Sequence, residues 1–505
     1  MFENIWLLLL VCLFYSSWAE FISYENVRNS IMNAEEGIAL GGRIMLNEKE
    51  ETVNRILMET KKLELGQGLR NEKKNAAGMH FFKAKHLIDQ SKVFEFIKRM
   101  PKGATLHAHN TAQVSSEWII QNVTYNPKLY MCTNSDNVLV FTFRKHSSHN
   151  CRTSYRRVVD ERKKSRDIKL FDKKLETNIN LYTPTPEVKY PSTNEVWRKF
   201  QNMFTTVSDM IRFLPIFRAY HIRLLEELYE DGIMYIEMRM SFQKLYDLFG
   251  NIYSPLAIAK DLKRIVEEFK IKNAGFLGLK TIFSTHRNTD KSTVLKELDT
   301  FLKLHAAFPE FVVGFDLVGQ EDIGKPLLFF ADIFSVAHKS AKFFFHAGET
   351  NWYGQSTDLN LLDALLLNTT RIGHGYALIK HPILWNTVKK RDIAVEVSPI
   401  SNQILGLVSD LRNHPGSFFL SQDVPMVICN DDPGFWNSKG VSYDFYYAFM
   451  SFSSYTSGLK TLKQLVWNSI KYSVLSRTEK QIAYTIVQKQ WNRFIDYVMN
   501  TPLIH

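Results

Sequence analysis

The chain is 505 residues long, with 45% hydrophobic and 23% charged residues and a formal net charge of +11. That length holds one large domain with appendages or two to three ordinary domains, and that balance excludes a disordered tail. The basic surplus favours acidic partners, such as a cell surface or a sulfated polysaccharide, without bearing on fold.

The first predicted element is a targeting segment. Ile5 to Tyr15 reads IWLLLLVCLFY, an apolar core too short to span a bilayer. Small residues at Ser17 and Ala19 suit a signal peptidase, so residues 1–19 are expected to be a cleaved signal peptide, although Met-Phe-Glu-Asn lacks the usual Lys or Arg. No later run is apolar enough for a membrane span, so the mature chain is expected to be secreted. Residues 20–98 read as a helical extension: Ile44, Leu46, Val53, Ile56 and Leu57 recur at helical spacing, with Gly41, Gly42, Gly66 and Gly68 as breaks. It carries no obvious chemistry and is expected to pack on the core or on a second subunit.

The remainder, 99–505, alternates short apolar runs with amphipathic stretches, as strands followed by helices do. Candidate strands are Thr105 to His109, Ile233 to Arg239, Leu279 to Ser284, Val312 to Leu317, Phe343 to His346, Arg371 to His374, Ile393 to Val397 and Met426 to Asn430. Eight strands, each able to feed a helix, predict an α/β fold of the TIM (β/α)8 barrel type. An open doubly wound sheet is the competitor, but no glycine-rich phosphate fingerprint follows the first strand. After strand one, residues 118–191 have the texture of an insertion, with Cys132, Cys151, the sequon at Asn122 and a basic run from Arg144 to Arg166. A Cys132 to Cys151 disulfide is the natural pairing in an oxidising compartment. The basic run is either a solvated face or a polyanion or receptor surface. Cys429 reads as a buried hydrophobe, and Asn368 heads a second sequon.

Barrel chemistry belongs at the C-terminal ends of the strands. Strand one ends in LHAHN, which sets His107 and His109 on one face. Strand five ends at His346, followed by Ala-Gly-Glu349; strand six ends in RIGHG around His374; strand eight ends in ICNDDP with Asp431 and Asp432. Three histidines and a carboxylate form a set suited to zinc with room for a water, so His107, His109, His346 and Asp431 are the expected ligands. Zinc lowers the pKa of its water towards neutrality. Glu349 is then the expected proton donor, His374 holds or deprotonates the water, and Asp432, pointing away from the metal, is free to accept from substrate.

MPKGATLHAHN, GFDLVG, FFHAGET, NTTRIGHG, SPISNQ and NDDP, in this order, resemble the adenosine deaminase superfamily, and more closely its secreted branch, the adenosine deaminase-related growth factors. The resemblance implies zinc on His107, His109, His346 and Asp431, protonation of purine N1 by Glu349, and a hydroxide positioned by His374 that attacks C6. It also implies Asp432 on N7, the Gly319 N–H on N3, and Trp197 and His286 near the ribose. Adenosine would give inosine and ammonia, with 2'-deoxyadenosine as second substrate. A homodimer built by the N-terminal helices and a receptor- or glycosaminoglycan-binding insertion are likewise implied. One departure is Asn110, where the secreted branch often has aspartate; it keeps the hydrogen-bonding shape without the charge, which bears on substrate affinity. Zinc deaminases acting on bases in nucleic acid carry H-x-E with P-C-x-x-C; no such cysteine pair exists here, so no nucleic acid partner is expected. The alternatives are a growth factor or polyanion-binding protein with little deaminase activity, and another metal-dependent hydrolase on the same barrel.

Overall fold

The computed structural model describes residues 22–144 and 151–501; the expected signal peptide lies outside them. Eight parallel strands form two four-stranded sheets. The first holds β1 (Gly103–His109), β2 (Ile233–Met240), β3 (Gly278–His286) and β4 (Val312–Val318); the second holds β5 (His346–Ala347), β6 (Arg371–His374), β7 (Ala394–Val397) and β8 (Met426–Ile428). Two bridges close them into a barrel: Phe315 pairs with Phe343 between the sheets, and Ala108 pairs with Asp431 where first and last strands meet. That closing seam is hydrogen bonded both ways, Asp431 N donating to the His107 carbonyl and His109 N to the Asp431 carbonyl, each at 3.2 Å. Each expected strand has a counterpart, but the fifth, expected over Phe343 to His346, is regular only at His346–Ala347, with Phe343 joined to β4 by an isolated bridge.

Barrel strands are covered by helices outside and filled by side chains inside, so apolar runs replace alternation. In the run leading into β5, Phe343 and Phe345 stack at 4.7 Å and pack against Phe334 of the helix Ala331–Ala337. Phe344 instead lies against Gly314 of β4, where an added Cβ would come within 2.2 Å of its ring. Among the buried residues of the barrel is a polar layer. Arg371 binds Glu237 and Glu396, both at 2.6 Å, while Arg239 binds Glu396 at 2.6 Å and Asp316 at 2.9 Å.

In the N-terminal part, α1 (22–38) is followed by a turn through Gly41 and Gly42, then α2 (Glu48–Arg70). Gly66 and Gly68, read above as breaks, lie inside α2. Each costs about 1 kcal/mol of helix propensity, but the capping box of Asn47 and Glu50 and buried Val53 and Leu57 anchor the helix. Gly68 also leaves room for Asn75, whose Cα would sit 3.1 Å from an added Cβ. The stretch after β1 forms a three-stranded antiparallel sheet, Tyr130–Thr133, Leu139–Thr142 and Arg156–Arg157, with Cys132 and Cys151 disulfide-bonded beside it. Cys429 is free and buried. Among the described residues no helix is long and apolar enough to cross a membrane.

Candidate active site

Strand ends bring the expected residues to one mouth of the barrel. His107 Nδ1 lies 2.8 Å from Glu396 Oε2, and His346 Nδ1 lies 2.7 Å from Asp316 Oδ2. A carboxylate only accepts, so both Nδ1 atoms carry the proton and both Nε2 lone pairs are bare. His107 Nε2 and His109 Nε2 are 3.2 Å apart, with Asp431 Oδ1 at 3.3 and 3.1 Å from them. Ligand atoms of His107, His109 and His346 lie within 4.8 Å of one another, as do those of His107, His374 and Asp431. The buried Asp431 Oδ1 makes no well-aligned hydrogen bond. Converging lone pairs repel unless a cation sits between them.

The layer beneath adds a field of the right sign. Burial alone would raise the Glu396 carboxyl, but Arg239 and Arg371 outweigh it and hold it well below the usual range. Asp316 is likewise raised by burial and lowered further by His346 and Arg239. Three carboxylates, Glu237, Asp316 and Glu396, face two guanidiniums, and two of them, Glu396 and Asp316, stand directly behind His107 and His346. The donor set of imidazole and carboxylate fits zinc.

Two site residues have backbones in the left-handed region, His374 with φ 60° and Asp431 with φ 56°. For non-glycine residues this costs on the order of 1–3 kcal/mol each and concentrates where function needs it. Glu349 is buried, and its Oε1 lies 3.6 Å from His374 Nε2. Burial, then Asp431 and Glu321, push its carboxyl well above the usual value, which favours the protonated form. The Gly348 and Glu349 N–H groups donate to Glu321 at 3.2 and 2.9 Å, which pins the turn. Asp432 is raised by burial and by Asp431. It lies closer to the histidines than the sequence suggests, offering an oxygen within 4.8 Å of a His109 ring nitrogen and an Asp431 oxygen.

An adenosine deaminase profile matches residues 156–489, and an adenosine/AMP deaminase N-terminal profile matches residues 6–97. The chain belongs to the adenosine deaminase family. It is 41% identical over 493 residues to adenosine deaminase 2 of Homo sapiens, with 96% of each chain covered. It is 40% identical over 501 residues to an adenosine deaminase of Lutzomyia longipalpis, covering 97% of this chain and 98% of the relative. In fold it is similar to an adenine deaminase from Arthrobacter aurescens, with a TM-score of 0.55 at 16% identity, over 78% of this chain and 99% of that one. An Arabidopsis ADAL protein complexed with IMP gives a TM-score of 0.57 at 16% identity, over 79% of this chain and 99% of that one.

In this deaminase a cavity of about 610 Å³ opens over the site. Trp197 lines it from the helix Thr193–Ile211, and His286 and Gly319 line it from the ends of β3 and β4. Gly319 has φ +105°, and an added Cβ would sit 2.5 Å from His286 Nε2, so only glycine lets that imidazole close over the strand end. Asn110 also lines the cavity, its carbonyl accepting from the Tyr220 hydroxyl at 2.9 Å. His221 Nδ1 lies 2.7 Å from the Phe217 carbonyl, and its Nε2 lies 2.7 Å from Asn110 Oδ1. Two acceptors would demand an imidazolium, whereas burial lowers His221 to about 4. A neutral ring is satisfied when the Asn110 amide turns its NH₂ to His221 Nε2.

Residues that sequence reasoning missed are the supports: Glu396, Asp316, Arg239, Glu321 and His221. A signal existed for three of them, since a charged residue inside an apolar strand, as in IEMRM, GFDLV and AVEV, has to find a partner indoors.

Proposed function

We propose that this deaminase is an extracellular, zinc-dependent enzyme that hydrolyses adenosine and 2'-deoxyadenosine to inosine and ammonia. The observation that carries the reading is the buried Glu349 carboxyl, 3.6 Å from His374 and in surroundings that favour its protonated form, beside convergent histidine lone pairs. His107, His109, His346 and Asp431 would hold one zinc ion, which lowers the pKa of a water and so supplies hydroxide at neutral pH. The Glu349 O–H donates to purine N1, drawing electrons from C6 and leaving the carboxylate. Purine N7 is an acceptor, so Asp432, expected above to accept from substrate, would serve N7 as a donor in its protonated form, which burial and Asp431 favour. Once C6 carries both oxygen and amine, the hydroxyl proton passes to the amine, ammonia leaves and the 6-oxo product remains; the proton that the water released to solvent on becoming hydroxide balances the one that restores the Glu349 carboxyl. The Gly319 N–H suits N3, while Trp197, His286 and Asn110 suit the sugar.

Incubation with adenosine, following loss of its ultraviolet band together with ammonia release, tests the reading. Glu349→Gln is expected to lower kcat by about 10²- to 10⁴-fold, the usual share of a general acid. No turnover by zinc-replete wild type overturns the assigned substrate; an unimpaired variant overturns the role of Glu349.

Secretion of the chain after cleavage of residues 1–19 is supported by the disulfide and by exposed Asn122 and Asn368, which suit glycosylation. We read 20–98 as an assembly unit and 99–505 as the catalytic barrel, interrupted by 118–191. A homodimer is supported by α1, whose Val27, Ile31 and Ile38 are exposed at helical spacing. Growth-factor or polyanion binding through the insertion has less support, because four of its basic residues are matched locally: Arg156 and Lys164 by Glu161, Arg157 by Asp160, and Arg162 by Asp172.

A further inference from the structure

Behind His374 runs a hydrogen-bonded chain whose direction is set by a peptide group. The Gly416 N–H donates to His414 Nδ1 at 2.8 Å. A backbone N–H can only donate, so His414 Nδ1 is bare and the ring proton is on Nε2. His414 Nε2 lies 2.9 Å from Asn402 Oδ1, and Asn402 Nδ2 lies 3.1 Å from His374 Nδ1. Each link forces the next: the Asn402 amide must turn its oxygen to His414 and its NH₂ to His374. His374 Nδ1 is therefore an acceptor, and its proton is on Nε2, which faces Glu349 Oε1 at 3.6 Å and Asp431 Oδ2 at 3.8 Å.

Packing keeps this chain from reversing. His414, Asn402 and His374 are 1%, 0% and 2% exposed, so water cannot substitute for a lost partner. His414 stacks on Phe452 at 4.5 Å and meets the edge of Tyr376 at 5.3 Å. A Cβ at position 416 would come within 2.5 Å of the Phe452 ring and 3.0 Å of His414 Nδ1, so glycine there lets the N–H reach the imidazole. Burial also keeps the His414 ring neutral, lowering it to about 3.

We propose that Asn402 and His414 are positioning residues that lock His374 in its Nε2–H tautomer, so that His374 serves the attacking hydroxide as a hydrogen-bond donor and not as a base. This rests on the deaminase reading above and decides which of the two roles His374 takes. With Nε2 occupied, His374 has no lone pair for a water proton. It can point its N–H at the hydroxide oxygen and so aim the remaining lone pair at C6.

The test uses the zinc-loaded enzyme labelled with ¹⁵N-histidine, the His374 resonances being assigned by their loss in His374→Asn. Wild type is expected to show a protonated Nε2 and an unprotonated Nδ1. Asn402→Asp keeps the shape but replaces the NH₂ with an acceptor, which moves the His374 proton to Nδ1 and bares Nε2. A donor role predicts that this variant loses about 100-fold or more in kcat with KM for adenosine changed by less than about threefold, on the scale of losing one positioned donor. A base role predicts the reverse, retained or raised kcat with the tautomer switched. His414→Gln, still a donor to Asn402, is expected to keep kcat within a few-fold of wild type, whereas His414→Leu follows Asn402→Asp.

A wild-type spectrum with the proton on Nδ1 overturns the proposal even if no variant folds, and so does a switched tautomer with full kcat. Unchanged kcat in His414→Leu removes His414 from it. Because the tautomer is read without turnover, a wild type inactive on adenosine overturns the substrate assignment and leaves this measurement standing.

Discussion

At His346 the chain passes from packing to chemistry within one residue. Phe345 packs on Phe334, and the next side chain turns a bare Nε2 to the cavity because Asp316 occupies its Nδ1. Asp316 does three things at once: it accepts from His346 Nδ1, from the His346 N–H at 3.0 Å and from Arg239. Asp316→Asn keeps the size but removes the charge and can place an NH₂ against the ring. The variant is expected to hold zinc about 10- to 100-fold more weakly, the usual effect of removing the partner of a ligating histidine. Competition with a chelator reads this directly, and unchanged retention would show that the ligands orient themselves. HAGE and NDDP were legible because the reacting groups cluster at strand ends. Asn402 and His414 were not, because their meaning lies in the order of donors and acceptors, which no spacing records.

Among the elements, α2 is tied to the barrel's closing helices by two buried groups. Glu50 accepts from Trp491 Nε1 at 2.7 Å and from Lys463 at 2.6 Å. Lys61, fully buried, donates to Ser453 Oγ and to the carbonyls of Ser454 and Ser457 at 2.8 to 2.9 Å, with the Phe449 ring 4.1 Å away. Burial lowers its pKa to about 7. Between about pH 7 and 10 the unfolded chain therefore binds the proton that the folded chain has lost, and stability contributed at this site rises with pH. Relative to Lys61→Met, wild type is expected to gain on the order of 1.4 kcal/mol per pH unit across that window. Denaturant midpoints at several pH values check it, and a flat difference means that the hydrogen bonds hold the ammonium charged throughout. Strand positions were legible from apolar runs bounded by turns. The extent of α2 was not, since Gly66 and Gly68 are weak breakers inside a helix held by distant contacts.

For the molecule as a whole, α1 presents apolar side chains to solvent in a single chain. If a second copy covers them, Ile31→Glu converts a dimer to a monomer, seen by light scattering as a halved mass with kcat for adenosine essentially retained. A wild type that is already monomeric at micromolar concentration, or a variant of unchanged mass, removes α1 as the interface.

The closing seam has a consequence for how the enzyme comes into being. Asp431 pairs through its backbone with Ala108 and points its side chain at His107 and His109, residues made more than 320 positions earlier in the chain. No nascent fragment lacking the last strand owns this site. The ion proposed for this site would grip both lips of the seam and so favour the closed barrel by mass action, raising the free energy needed to unzip it. On the proposed ligand set, metal loading would double as a seal of completion, available only once the two ends of the chain have found each other.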